Sequence, residues 1–334
     1  MTRAKLNILD LVPIVAGGSA ADAIASTVDL ARHAEQWGYE RYWMAEHHNM
    51  RGVASSSTAV LIGHVADHTE SIRVGAGGIM LPNHAPYVVA EQFGTLATMH
   101  PGRIDLGLGR APGTDQATAR ALRRNEAAAM NFAGEVEELI GYLGEPDPRA
   151  QVRAVPGEGT QVPIWILGSS HGGAQVAASL GLPYSFASHF APAALMSALE
   201  VYRTRFQPST EPGGLDAPYT MAGANVMVAD TQDEAERLFT SVLHRFHSIV
   251  TNQRTTLAPP EGDIDSVLAG WSPAARAAVA DMIRVSFVGT PAQVREGLEQ
   301  FTEATGVDEV IVTCGAYDHA ARLRSFELLA DAWA

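Results

Sequence analysis

The sequence predicts a closed (β/α)8 barrel, the TIM-barrel fold, and three observations carry that expectation. Short apolar runs recur along the chain with helical-period segments between them, the first of them at intervals of roughly thirty residues, which marks right-handed crossovers and a parallel sheet. Eight such runs can be counted, seven of them clearly followed by helix, and eight strands close a barrel where six or seven suggest an open doubly wound sheet. Chemistry-bearing residues follow the runs directly, at the strand ends where barrel enzymes collect catalytic side chains. The chain has 334 residues, enough for one barrel of about 250 residues plus insertions. A single domain over 1–334 is expected.

The first strand is Leu6 to Asp10. Ser19 then caps a helix, with Asp22 completing an approximate capping box and Ile24, Val28, Ala31 and Ala34 on one face. Gly38 ends it, and Arg41 to Ala45 is the second strand. A helix over Thr58 to Ala66 precedes strand three, Ile72 to Ala76; Pro86 opens a helix to Met99, and Arg103 to Leu108 is strand four. The next connection is longer, with two helical segments between Pro112 and Gly144 and a Pro/Gly-rich insertion from Glu145 to Val162.

Strand five is Pro163 to Leu167, followed by a short helix over Gly173 to Leu180 and strand six over Leu182 to Ala187. A helix over Ala191 to Arg205 leads to strand seven, Gly223 to Ala229. Thr231 or Asp233 opens a helix through Phe246. Val250 to Pro273 is too long and polar for a plain connection and is a candidate lid. Thr290-Pro291 caps the last long helix before strand eight, Asp308 to Thr313. Strands one and seven are the weaker readings, so an open sheet is the runner-up.

Composition narrows the partners. A net charge of −14 argues against nucleic acid and against anionic membranes, both of which need basic patches. No apolar run reaches the roughly 18 residues of a membrane span. The N-terminus lacks a signal-peptide shape, and the lone Cys314 suits a reducing compartment. The expectation is a cytoplasmic protein with Cys314 buried and inert.

Four stretches carry chemistry. Glu46-His47-His48 follows strand two and is a candidate acid/base site; adjacent histidines on extended backbone diverge, so one at most faces the pocket. The stretch with Gly75, Gly77 and Gly78 continues strand three past the sheet, where missing side chains admit a large flat group or form a barrel-corner bulge; His84 lies just beyond. Arg110, flanked by glycines after strand four, suits bidentate capture of phosphate or carboxylate. Ser169, Ser170, Gly172 and Gly173 open the helix after strand five, where free N–H groups and hydroxyls form an anion site or merely a well-capped helix. Together with Arg110 they suggest one phosphate-bearing ligand. The glycines Gly107, Gly109 and Gly113 lack dinucleotide-fingerprint spacing.

These residues resemble the bacterial luciferase-like flavin monooxygenases, in the branch of single-chain luciferase-like oxidoreductases, over nearly the whole chain. The resemblance rests on Ala45 to Met50, Gly77 to Pro86, Glu91-Gln92, Pro101 to Asp115 and Gly181 to Pro183, taken in combination and order. It implies a luciferase-like barrel binding FMN at its C-terminal mouth. His47 matches the acid/base histidine beside the flavin, and Glu46 the carboxylate before it. Gly77 and Gly78 match a pair joined by a cis peptide beneath the flavin ring. Arg110 matches a phosphate arginine, with Ser169, Ser170, Gly172 and Gly173 forming the second half of that site. Glu91 matches an acidic position near the flavin, and Arg120 or Arg124 is the expected second phosphate arginine. Gly109 and Ser169 depart from luciferase, which has a cysteine and a glutamate there.

The implied activity is oxygenation of a small organic substrate with O2 and reduced FMN as co-substrate, supplied by a separate flavin reductase. His47 would transfer a proton, with Glu46 tuning or orienting it. The resemblance also implies a homodimer, with Ala59, Leu61, Ile62, Val65, Val88 and Val89 as candidate contacts. Two alternatives stand beside this one. One is a deazaflavin-dependent hydride-transfer oxidoreductase, the other a flavin-binding protein without turnover. No metal is expected, because Glu46, His47 and His48 are contiguous on extended backbone and splay apart.

Overall fold

The computed structural model describes residues 3–111, 113–124, 130–211, 213–253 and 255–334. Pro112, part of the motif after strand four, lies outside the described residues. Eight parallel strands close the barrel: β1 (Lys5–Asp10), β2 (Arg41–Met44), β3 (Arg73–Met80), β4 (Ile104–Gly109), β5 (Ile164–Gly168), β6 (Tyr184–Phe186), β7 (Thr220–Val228) and β9 (Glu309–Thr313). The ring closes through β1 with β9, in the register Lys5↔Glu309 to Ile8↔Val312. The doubly wound alternative is thereby excluded. A ninth strand, β8 (Ser286–Gly289), lies outside the ring, paired to the upper half of β7 from Asn225↔Ser286 to Val228↔Gly289.

The helices are α1 (Ala20–Gln36), α2 (Thr58–Ala66), α3 (Pro86–Met99), α4 (Gln116–Ala121), α5 (Phe132–Leu143), α6 (His171–Leu180), α7 (Leu195–Arg205), α8 (Gln232–Val250), α9 (Ile264–Ala269), α10 (Pro273–Met282), α11 (Pro291–Thr305) and α12 (His319–Trp333). Local chemistry sets their ends. Ser19 and Asp22 form the reciprocal capping box of α1, and Gly38 leaves that helix at φ +81°. Thr290 and Gln293 form a second box around Pro291, and Gly306 ends α11 at φ +61°. The strands are buried on both faces, as parallel strands between a helical ring and a filled interior must be. Cys314 is buried and faces Met227. Among the described residues, no helix is long and apolar enough to cross a membrane.

Several boundaries move from the expected ones for identifiable reasons. Strand three extends through its glycines to Met80, because a bulge between Ala76 and Ile79 lets the chain rejoin β4 at Ile79↔Leu108. Strand seven begins three residues early, at Thr220, whose N–H and hydroxyl are held by Asp308. Helix α6 begins two residues early, at His171, with Ser170 as its N-cap. The stretch after α8 contains α9 and returns over the barrel: the Leu257 N–H donates to Ile14 at 2.9 Å and its carbonyl accepts from Ala16 at 2.8 Å. Beyond Asn225 β7 leaves β9 and pairs with β8, and α8 packs against both strands.

Candidate functional site

Glu46, at the end of β2, is the hub of the mouth. Its carboxylate is 1 % exposed. It accepts from His48 Nε2 at 2.8 Å, from His84 Nε2 at 3.0 Å and from the Met80 N–H at 3.2 Å. Burial alone would raise its pKa; the hydrogen bonds from the two imidazoles outweigh that and hold it at about 2. Both histidines must present a protonated Nε2, since a carboxylate only accepts. Glu46 therefore ties the end of β2 to the end of β3.

His47 and His48 diverge as adjacent residues on extended chain do. His48 turns to Glu46, while His47 has a buried Nδ1 without a partner. The Gly113 backbone acts on the same ring in favour of its charged form. Burial and then the Arg245 charge push its pKa down to about 4. At neutral pH His47 is thus an uncharged imidazole with a free lone pair. Glu46 reaches it through the field alone, and among the described residues its hydrogen bonds go elsewhere.

Two residues of this neighbourhood escaped the sequence reading. His189, three residues past β6, packs against Gly223, where a Cβ would stand 2.4 Å from its Nδ1. That Nδ1 is also buried and unpartnered, and burial followed by Arg245 and His47 lowers its pKa to about 3. A histidine just after a strand was a usable signal. Arg245 falls at helical spacing with Leu238 and Val242 on the buried stripe of α8, and a charge on an apolar stripe was the signal there.

Gly77 and Gly78 are joined by a cis peptide bond. Their lack of side chains is demanded by the protein itself. A Cβ on Gly77 would lie 2.7 Å from Leu9 Cδ1, and one on Gly78 would lie 2.6 Å from the Gly107 carbonyl oxygen. The glycines form the bulge and bring β3 close against β4.

Across the mouth, Arg110 follows β4 and lies against the start of α6. A Cβ on Gly172 would be 3.2 Å from Arg110 Nη2 and 3.4 Å from Nη1, so the guanidinium rests across that glycine. Ser170 makes no side-chain capping bond, and among the described residues the exposed Arg110 side chain has no hydrogen bond or ion pair. Gly173 allows the turn to close, its Cβ position lying 3.2 Å from the Gly168 Cα. Ser169 is exposed beside it. His171 turns away to Ser197 Oγ at 2.8 Å. The arginine, a cap hydroxyl and the first N–H groups of a ten-residue helix thus converge, as phosphate binding requires.

Arg124 donates to the Arg110 carbonyl at 2.9 Å and to Asn83 Oδ1 at 2.8 Å, which brings it to this corner. Arg120 is exposed on α4. Glu91 lies on α3, one turn after Tyr87, whose hydroxyl donates to the Arg153 carbonyl at 3.3 Å. Among the described residues, the group that could hold a metal ion is Glu46, His48 and His84, their ligand atoms within 4.8 Å of one another; His47 is not part of it. Ligands bound about 2 Å from a shared ion stand about 3.3 Å apart. The Glu46–His48 and Glu46–His84 contacts, at 2.8 and 3.0 Å, are tighter hydrogen bonds.

The luciferase-like monooxygenase family model matches residues 6–309. A luciferase-like monooxygenase of Escherichia coli K12 is 49 % identical over 97 % of this chain and 96 % of its own. An N-acetyl-S-alkylcysteine monooxygenase of Bacillus subtilis is 39 % identical over 70 % of each chain. The crystal structure of apo-MsnO8 superposes with a TM-score of 0.85 at 32 % identity, covering 99 % of this chain and 98 % of the other. Two more distant structures share the fold alone. One is a Baeyer–Villiger monooxygenase component of Pseudomonas putida in complex with FMN, at TM-score 0.70, 19 % identity and coverage of 98 % and 97 %. The other is a coenzyme F420-dependent reductase of Methanopyrus kandleri, at 0.67, 18 % and 98 % of both chains.

Proposed function

Because the chain belongs to the luciferase-like monooxygenase family and is an oxidoreductase, we propose that it binds reduced FMN at the barrel mouth and oxygenates a small organic substrate with O2. The observation that carries this reading is the Arg110 guanidinium laid across Gly172 at the open end of α6, facing the same mouth as the unpaired Nδ1 of His47. Arg110, Ser170, Gly172 and Gly173 would hold the phosphate, with Ser169 at its edge and Arg124 behind Arg110. Gly77 and Gly78 would pass under the ring. When bound, reduced FMN supplies the two electrons that let one oxygen atom enter the substrate while the other leaves as water.

The chain's own contribution is positioning and proton handling. His47 Nδ1 accepts a proton from the reacting group and returns it, being uncharged at neutral pH. Glu46 acts through His48, His84 and the Met80 N–H, fixing the backbone from which His47 projects. The segment around Leu257 covers the β1 side and excludes water. A thioether is a fitting first substrate, given the Bacillus subtilis relative's name. A reductase partner, a cytoplasmic site of action and a homodimer belong to the same proposal.

The test is oxygen uptake and product mass spectrometry with FMN, a flavin reductase and a panel of thioethers, aldehydes and ketones. Substrate-dependent uptake with one atom from labelled O2 in the product is expected. A deazaflavin reading is favoured by the F420-dependent reductase sharing the fold. It would be established instead by tight F420 binding, hydride transfer and no oxygen consumption.

A further inference from the structure

We infer that Arg245 is the binding residue for a carboxylate carried by the organic substrate. This rests on reading the mouth as the place where the substrate is oxidised. Arg245 lies one helical turn beyond Val242, which packs against Gly315 just past β9, a Cβ there standing 2.9 Å from Val242 Cγ2. The chain following α8 crosses to the β1 side, where Leu257 bonds to Ile14 and Ala16. The guanidinium is thus held over the β1 and β9 side of the mouth, partly buried, near enough for its charge to act on His47 and His189.

Among the described residues, Arg245 has no side-chain hydrogen bond and no ion pair. Asp10 is the nearest acid acting on it, but Asp10 is fully engaged. One of its oxygens accepts from the Val12 N–H and Arg322 Nη2, both at 2.7 Å. The other accepts from Thr27 at 2.7 Å and from the Tyr42 hydroxyl. Arg322 already balances the Asp10 charge, which leaves one positive charge over. A partly buried cation without a partner costs stability unless something completes it. The surrounding imidazoles are uncharged and offer unpaired nitrogens, and the two carboxylates nearby, Asp10 and Glu46, already hold their own donors. Flavin phosphate is served across the mouth by Arg110 and the start of α6, whereas a lone guanidinium fork matches a carboxylate. The substrate would lie between the two positive sites, its oxidisable atom beside His47 and its carboxylate on Arg245.

The probes are acetate, hexanoate and benzoate, each against its neutral amide, titrated calorimetrically into the FMN-loaded protein and into Arg245→Met and Arg245→Lys. The wild type should bind at least one acid about tenfold more tightly than its amide. Arg245→Met should lose that preference, keep its FMN affinity and melt a few degrees higher, because an uncompensated charge has gone. Arg245→Lys should keep the preference. A purely structural arginine predicts the reverse in stability, so an Arg245→Met protein that melts lower or fails to fold contradicts the inference. So does a preference that survives in Arg245→Met, the absence of any preference in wild type, or a loss confined to FMN binding, which would make Arg245 a flavin contact. If wild type binds no FMN, the flavin reading falls, and the acid–amide comparison on the protein alone still decides the inference.

Discussion

At the floor of the barrel Arg41 reaches Asp105 at 2.6 Å and Glu309 at 2.9 Å. Trp43 donates to Asp105, while Tyr219 and Asn7 donate to Glu309. At the mouth, Arg245 on α8 has no acid of its own among the described residues, and His47 after β2 and His189 after β6 each keep a ring nitrogen without a partner. Both regions bury polar groups, and the difference is completeness. At the floor every charge is paired, although the Asn7 Oδ1 has no partner, so these charges hold the strands in register and have none left to offer. The mouth groups include an unpaired charge and two unpaired imidazoles at one place, which is what a ligand could complete. Glu46 is the exception at the mouth: it is saturated, and its work is to hold the backbone.

The sharpest way to break this comparison is to open the floor. Arg41→Met strands two buried carboxylates, Arg73 remaining for Asp105 alone, and should cost about 3–5 kcal/mol in urea unfolding. An equal loss from Arg245→Met would erase the distinction between the regions. At the mouth, His47→Ala should lower turnover about 100-fold or more and leave the FMN dissociation constant within about twofold. Stopped-flow turnover alongside a flavin fluorescence titration measures both, and unchanged turnover would remove His47 from the chemistry.

The open histidines also give the mouth a pH signature. Their folded pKa values lie below the ordinary 6.5, at about 4 for His47 and about 3 for His189. The unfolded chain therefore binds more protons as pH falls. Their contribution is fully present above pH 6.5 and is lost between there and about pH 4 and 3 respectively, on the order of 3 kcal/mol for His47. His47→Gln should flatten the stability profile between pH 6.5 and 4, and an unaltered slope would show the ring to be solvated. The smallest expected effect is at the phosphate corner. Gly172→Ala puts a methyl 3.2 Å from Arg110 Nη2 and should weaken FMN about tenfold, while stability stays level or rises by about 0.5–1 kcal/mol, as for glycine in a helix.

The sequence made the barrel legible because buried parallel strands read as apolar runs and the helix caps are local. The Ser19–Asp22 and Thr290–Gln293 boxes need no tertiary information. Strand β8 escaped because four residues beside the outward half of β7 carry no period of their own. That Arg110 and the start of α6 belong together was readable, since each follows a strand end with small neighbours, and the fold brings them together. The partner of Glu46 was not readable. Proximity in sequence suggested His47, but the pleat sends His47 away and the long β3 brings His84 across from 38 residues downstream. Arg245 was hidden for a related reason: the groups its charge acts on, His47 and His189, come from strand ends far away in sequence.

Flavin titration of three proteins tests the account most directly: wild type, Arg110→Gln and Arg245→Met. The account predicts FMN binding at least about tenfold weaker in Arg110→Gln and unchanged in Arg245→Met. Equal affinity in all three would contradict it, because the phosphate would then be held somewhere other than the corner formed by Arg110 and the first turn of α6.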